Sequence, residues 1–282
     1  LIIFNSMGVI LIEQVKEEFT PDMVYWAFDW DDNILKMPTQ IILKDKNGNE
    51  VGMSTEDFAE YRHEIGIKDF EYKGHTIVGY ANDPYRQFGE KGDKKFQIDA
   101  FLAKPAVAWD DFVKAINSGS VFAIITARGH SPLKIRSTIE KMINGNYKGI
   151  NKKELVKNLR KYREFAGEED MEDSEIIDAY LDMNKYYPVT FGQGSAQSPE
   201  KGKEIALKEF ENYVKYLSKV LQTPAYLKNK ISNSFLPVII FSDDDEKNLE
   251  HSHKKLSNRP ENIIQFVSTK GGEKKLYTGN EN

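Results

Sequence analysis

Val24-Tyr25-Trp26-Ala27-Phe28-Asp29-Trp30-Asp31-Asp32-Asn33 is the stretch on which the fold turns. Its first five residues are apolar or aromatic without interruption, which suits a strand buried on both faces, as in a parallel sheet. Three carboxylates, Asp29, Asp31 and Asp32, follow where that strand must end. Like charges this close raise one another's pKa unless a cation sits among them. A hard divalent ion answers that need, and magnesium takes only a few protein carboxylates beside waters and phosphate. An acidic solvated turn is the plain alternative. The strand before it weighs against that, because open α/β sheets bind ligands at the carboxyl ends of their strands.

Two further strands of this kind are predicted downstream. Val121-Phe122-Ala123-Ile124-Ile125 ends in Thr126-Ala127-Arg128-Gly129, and Ser131-Pro132 then opens a helix in the favoured cap-then-proline order. A strand end, a short polar loop and a helix N-terminus gather backbone N–H groups into an anion site, to which Thr126 adds a hydroxyl. Pro237–Phe241 is the third strand, running into Ser242-Asp243-Asp244-Asp245 with Asn248 on the helix beyond; Ile263–Val267 is the last. Trp109–Asn117 reads as a helix, and Ser198-Pro199 starts a longer one that buries Ala206, Phe210, Tyr213, Val214, Leu217 and Leu221. Alternating strands and helices predict an α/β fold: a Rossmann-like, mainly parallel sheet with helices on both faces and cap-like insertions.

The core is expected in three pieces, 20–35, 106–145 and 186–270. The first insertion, 36–105, should open with a hairpin turning at Asn47-Gly48 and continue as aromatic-rich loops and short helices, where ordinary packing of Tyr80, Tyr85 and Phe88 is expected and lining of a substrate entrance is the alternative. The second, 146–185, should be helical, with Leu155, Leu159 and Tyr162 striping one helix. Charge is segregated around it: Ser131–Arg163 carries ten Lys or Arg against two Glu, and Glu164–Asp182 nine acids and no base. Helices of opposite sign pairing together account for this; a basic face for a phosphate-rich polymer is the alternative. Tyr187–Phe191 is a short predicted strand, Gly192–Ser195 a flexible loop, and the tail after Lys270 should fray.

Of 282 residues, 40% are hydrophobic and 29% charged, a globular balance, and the net charge of −5 gives no overall basic footprint for nucleic acid. There is no cysteine, which excludes disulfides, thiolate nucleophiles and cysteine-ligated zinc and suits a cytoplasmic location. No apolar run is long enough to cross a bilayer, so no membrane partner is expected. Leu1–Ser6 lacks the basic start of a signal peptide, and Met7 is taken as the natural start.

Asp29-x-Asp31 after one strand, Thr126 after another, a lysine at a helix start and an Asp cluster after a third strand together resemble the haloacid dehalogenase (HAD) superfamily, whose four motifs come in this order. The resemblance covers the core strands and helices, not the two insertions, which sit where that superfamily carries its caps. It implies a magnesium-dependent phosphomonoester hydrolase working through an aspartyl-phosphate. Asp29 matches the nucleophile and Asp31 the acid and base that protonates the leaving oxygen and then activates water. Thr126, with Ala127 and Arg128, matches the phosphate-binding loop. Lys201 matches the lysine that neutralises nucleophile and phosphate, with Lys203 its rival; Lys201 is preferred for its place in the helix's first turn. Asp243 would complete the Mg2+ site beside Asp29 and Asp31, the latter through its backbone carbonyl, with Asp244 and Asn248 in support. Asp32 stands where many members have Gly, and Asn33 where many have Thr. The substrate implied is a phosphorylated small molecule; the basic stretch keeps a polynucleotide or nucleotide phosphatase as the alternative, and an inactive binding module is the other. His130 is expected at the surface, with reach to a substrate phosphate as the alternative; His251 and His253, the other reading of which is a metal pair, are expected at the surface because they point apart on their helix.

Overall fold

The computed structural model describes residues 23–166, 171–190, 198–221 and 237–279. In chain order its strands are β1 (Met23–Phe28), β2 (Leu35–Lys36), β3 (Gln40–Asp45), β4 (Glu50–Ser54), β5 (Phe70–Tyr72), β6 (His75–Tyr80), β7 (Lys104–Pro105), β8 (Phe122–Thr126), β9 (Lys185–Pro188), β10 (Pro237–Asp243), β11 (Ile264–Ser268) and β12 (Lys275–Leu276). Its helices are α1 (Thr55–Tyr61), α2 (Asp93–Leu102), α3 (Trp109–Ser118), α4 (Pro132–Asn144), α5 (Lys152–Ala166), α6 (Asp173–Met183), α7 (Pro199–Leu221) and α8 (Glu246–Leu256).

β1 sits inside a six-stranded sheet of order β12-β11-β10-β1-β8-β9. It pairs in parallel with β10 and β8, as do β8 with β9 and β10 with β11; β12 alone of these runs antiparallel. Alternation along β1 sends Trp26 and Phe28 to one face and Tyr25 and Ala27 to the other. Helices cover both faces: α3 to α6 pack Phe112, Ile139, Leu155 and Tyr180 on the first, and α7 and α8 pack Phe210, Leu217 and Leu249 on the second. From Tyr25 to Phe28 both faces are dry, so no position there suits a polar residue, and each large side chain buried there stabilises by about 1.5–3 kcal/mol. Parallel pairing then carries the carboxyl ends of β1, β8 and β10 to one edge.

The first insertion differs from expectation. The hairpin forms as β3 and β4, with Gly48 at φ +83° and the Asp45 carboxylate accepting the N–H groups of Asn47 and Asn49. The stretch read as loops and short helices supplies β5 and β6 as well, giving an antiparallel sheet of order β4-β3-β6-β5 over Ile41, Leu43, Met53 and Ile77. Phe58, Tyr80, Tyr85 and Phe88 do pack on one another. In the second insertion, charge segregation resolves into helix pairing. Arg136 of α4 pairs with Asp178 and Asp182 of α6, and Arg160 of α5 with Asp173 of α6. These pairs are largely exposed, so each is worth at most about 1 kcal/mol.

β9 is observed as Lys185–Pro188, while Phe191 and the Gly192–Ser195 loop lie outside the described residues. The tail after Lys270 does not simply fray, because β12 pairs with β11 there. Among the described residues no helix is long and apolar enough to cross a membrane.

Candidate active site

The ends of β1, β10 and β11 are stitched together by Asn33. Its fully buried amide donates to the carbonyls of Asp29 and Ser242 and to Ser242 Oγ at 3.0–3.1 Å, and its Oδ1 accepts from Thr269 Oγ1 at 2.8 Å. The Asp29 N–H donates to the Ser242 carbonyl at 3.0 Å. This fixes Asp29 and Asp243 side by side, and their carboxylate oxygens lie with one of Asp244 within 4.8 Å of one another.

Lys203, not Lys201, stands between them. Its Nζ donates to Asp243 Oδ2 at 2.7 Å and lies 2.9 Å from Asp29 Oδ1, with the side chain only 2% exposed. The approach to Asp29 is an ion pair by distance without hydrogen-bond geometry, so that oxygen accepts no hydrogen bond. Lys201 turns away to pair with Glu204 at 2.6 Å, its side chain 45% exposed. The helix does begin where predicted, with Ser198 Oγ accepting the Lys201 N–H. The correction lies in its facing: Lys203, Ala206, Leu207 and Phe210 are all buried, one stripe at helical spacing, and Lys203 is its first member.

Gly202 lets that first turn approach the sheet. A Cβ there would sit 2.7 Å from Val189 Cβ. Gly202→Ala normally gains about 1 kcal/mol in a helix, whereas overpacking costs about 1–3 kcal/mol. We expect a net loss in thermal unfolding, recovered when Val189→Ala is added; a more stable single variant would show the contact to be loose.

Asp31 is expected at the metal through its backbone carbonyl, and its carboxylate lies outside the Asp29, Asp243 and Asp244 cluster. Arg128 grips it through Nε at 2.8 Å and Nη2 at 2.6 Å, and Asp244 takes the third place in the cluster. The Asp31 carbonyl accepts the Asn33 N–H at 2.6 Å and keeps a second lone pair. Thr126 ends β8 fully buried, its hydroxyl accepting the Arg128 N–H at 3.3 Å, while Ala127 is exposed in the loop. Arg128, expected to bind phosphate, is itself buried. His130, expected at the surface, is buried too: it lies 4.4 Å from the Phe96 ring, with Nε2 towards Arg128 and Nδ1 2.9 Å from Asp93. Burial, then the Arg128 charge, hold its pKa below the ordinary value, so it is neutral with Nδ1–H facing Asp93. His251 pairs with Glu204 and His253 packs on Phe266, apart as expected.

Asp32 has the partner that its sequence position leaves open. It accepts from Thr55 Oγ1 of α1 at 2.5 Å and adopts φ +54°, the left-handed region. Burial, reinforced by Asp31 and Glu56, pushes its carboxyl up to about 6. Asp and Asn tolerate that conformation, whereas other side chains lose roughly 1–2 kcal/mol. Asp32→Asn should therefore unfold in denaturant much as the parent does, and Asp32→Val well below it. Equal midpoints for the two would mean neither the turn nor the Thr55 bond matters.

The cluster suits a divalent cation. Among the described residues three carboxylates face one ammonium, so full ionisation would leave two negative charges uncompensated. Burial pushes the pKa of Asp29, Asp243 and Asp244 upward, and neighbouring carboxylates add to it against the opposing pull of Lys203. Asp29 Oδ1 and Asn248 Oδ1 are buried acceptors without a hydrogen bond among the described residues, although Asn248 Nδ2 holds Asp243 at 3.1 Å. An all-oxygen set short of positive charge is what a hard ion such as Mg2+ takes. Beside Asp244 and Asp32 opens a cleft of about 670 Å³, lined by seven carboxylates and three lysines.

Compared with known proteins, the chain matches no family model, no curated protein and no solved structure.

Proposed function

We propose that the chain is a Mg2+-dependent phosphomonoester hydrolase of the HAD type, acting through an aspartyl-phosphate on Asp29. The observation that carries this reading is the convergence of Asp29, Asp243 and Asp244 around buried Lys203 at the carboxyl ends of parallel strands. On this reading the six-stranded sheet is a Rossmann-like core and the segments 36–105 and 146–185 are cap-like. Asp29, Asp243 and Asp244 would hold the ion, with Asn248 steadying Asp243; when bound, it offsets the charge on carboxylate and phosphoryl oxygens. A carboxylate oxygen of Asp29 attacks phosphorus, and Asp31 gives its proton to the departing oxygen. Asp31 then takes a proton from water as that water attacks the phosphorus and frees Asp29. Lys203 lowers the cost of ionising Asp29 for the attack, against burial and the neighbouring carboxylates, and Thr126 offers its hydroxyl to the phosphate.

The cleft favours a phosphorylated small molecule over a nucleic-acid end. Seven carboxylates against three lysines oppose any phosphate, but a polyanion at every phosphate and a monoester at only one, and the basic residues Arg136 and Arg160 of the alternative face are engaged with acids. Purified protein should hydrolyse p-nitrophenyl phosphate and some member of a panel of phosphorylated small molecules with Mg2+. Activity should vanish in EDTA. Folded, Mg2+-saturated protein without turnover on any ester would leave the binding module standing.

A further inference from the structure

We propose that Arg128 is a positioning residue for Asp31 and not a phosphate ligand, an assignment that rests on the phosphatase reading above. The guanidinium has five N–H donors, and four are committed. Nε and Nη2 fork onto the two oxygens of Asp31 at 2.8 and 2.6 Å, Nη2 also reaches Thr39 Oγ1 at 2.8 Å, and Nη1 points to His130 Nε2 at 3.2 Å. The Phe88 and Phe96 rings lie 4.9 and 5.2 Å from its central carbon, and the side chain is 1% exposed. A phosphate would reach it only by displacing Asp31. A planar fork fixes both the place and the plane of a carboxylate, which a lysine ammonium cannot do.

The parts that hold the fork come from outside the sheet. Thr39, Phe88 and Phe96 all belong to the segment 36–105, and Asp93, which holds His130, lies beside them. The Gly129 N–H donates to the Phe88 carbonyl at 2.7 Å, tying the Arg128 loop to that segment. Asp29 is therefore set by the strand ends, whereas the direction of Asp31 is set by the first insertion through Arg128. An acid that must meet a leaving oxygen is sensitive to such aim, since misplacement by about 1 Å costs on the order of 10²-fold in rate.

The test measures kcat and KM with Mg2+ for p-nitrophenyl phosphate, whose leaving group departs without a proton, and for an alkyl phosphate, which needs one. Arg128→Lys and Thr39→Val are made singly and in an Asp31→Asn background; Arg128→Lys keeps the buried charge and guards against simple unfolding. We expect Arg128→Lys to lower kcat/KM for the alkyl ester by about 10²-fold or more and for the aryl ester far less, because kcat/KM reports the first displacement, whereas kcat also contains the hydrolysis common to both. KM for the alkyl ester should not rise, Thr39→Val should follow in the same direction more weakly, and neither change should cost anything further once Asp31 is Asn. A rise in KM and in the inhibition constant of inorganic phosphate, equal for both esters and persisting in the Asp31→Asn background, would make Arg128 a phosphate ligand and overturn the proposal. Equal loss of kcat/KM on both esters, additive with Asp31→Asn, overturns it in favour of a purely structural arginine. Wild-type protein inert on both esters overturns the phosphatase reading, and this role with it.

Discussion

Lys203→Ala is expected to lower kcat/KM by roughly 10²–10³-fold or more, the scale for losing one preorganised charge at a reacting centre, while Lys201→Ala leaves it nearly unchanged. Among the described residues Lys203 is the ammonium that pairs with Asp29 and Asp243, and these two carboxylates drive its own pKa up against burial. Removing one member of a buried ion pair leaves the other charges uncompensated, typically at a cost of about 3–5 kcal/mol. The variant should therefore also melt lower. Mg2+ works against that loss: at 100-fold excess over its Kd a ligand stabilises by about 2.7 kcal/mol. With the lysine gone the site is more negative, so the Mg2+-induced rise in Tm should be larger in Lys203→Ala than in the parent. A Lys203→Ala protein with parental turnover and melting, or Lys201→Ala as the damaging change, would remove Lys203 from the site.

The lysine choice shows where sequence reading stopped short. Position in the first turn favours Lys201, and the helix does start there. Yet the spacing from Lys203 to Ala206, Leu207 and Phe210 was available in the sequence and places Lys203 on the buried stripe; facing, not distance from the cap, decides. Asp29 and Asp243 were legible because each follows an apolar run that neither face of a sheet interrupts, and parallel pairing brings such ends together. The Asp31–Arg128 fork joins residues 97 apart, and the Asp32–Thr55 bond residues 23 apart, with no local pattern to announce either. β5 and β6 were missed for a different reason. His75, Thr76 and Gly79 dilute the alternation around Ile77, and what makes them strands is pairing, β6 with β3 and β5 with β6, a tertiary effect.

Asp29→Asn should give the sharpest separation of activity from stability. Without the nucleophilic oxygen no aspartyl-phosphate forms, and kcat should fall by roughly 10⁴-fold or more, as when other enzymes lose a nucleophile. The metal-free protein, by contrast, should become more stable. Two effects oppose each other at Asp29: the attraction of Lys203, and burial together with repulsion from Asp243 and Asp31. Its pKa is displaced upward, so burial and repulsion win and the ionised form is held at a cost. A carboxyl whose folded pKa is raised favours folding most below its unfolded value of about 4, and that contribution is lost as pH climbs through the folded pKa. Metal-free parent should accordingly lose Tm as pH rises above about 4, and Asp29→Asn should lose less over the same range, because its amide carries no charge to hide. Each 1 kcal/mol relieved is worth about 2–4 °C for a chain this size. Adding Mg2+ should reverse the order, raising the parent more than the variant, since the variant has lost one anionic ligand. Melting curves across pH with EDTA or Mg2+ decide it: a metal-free Asp29→Asn that melts below the parent at pH 8, with an unchanged slope, means that the charge deficit does not lie at Asp29.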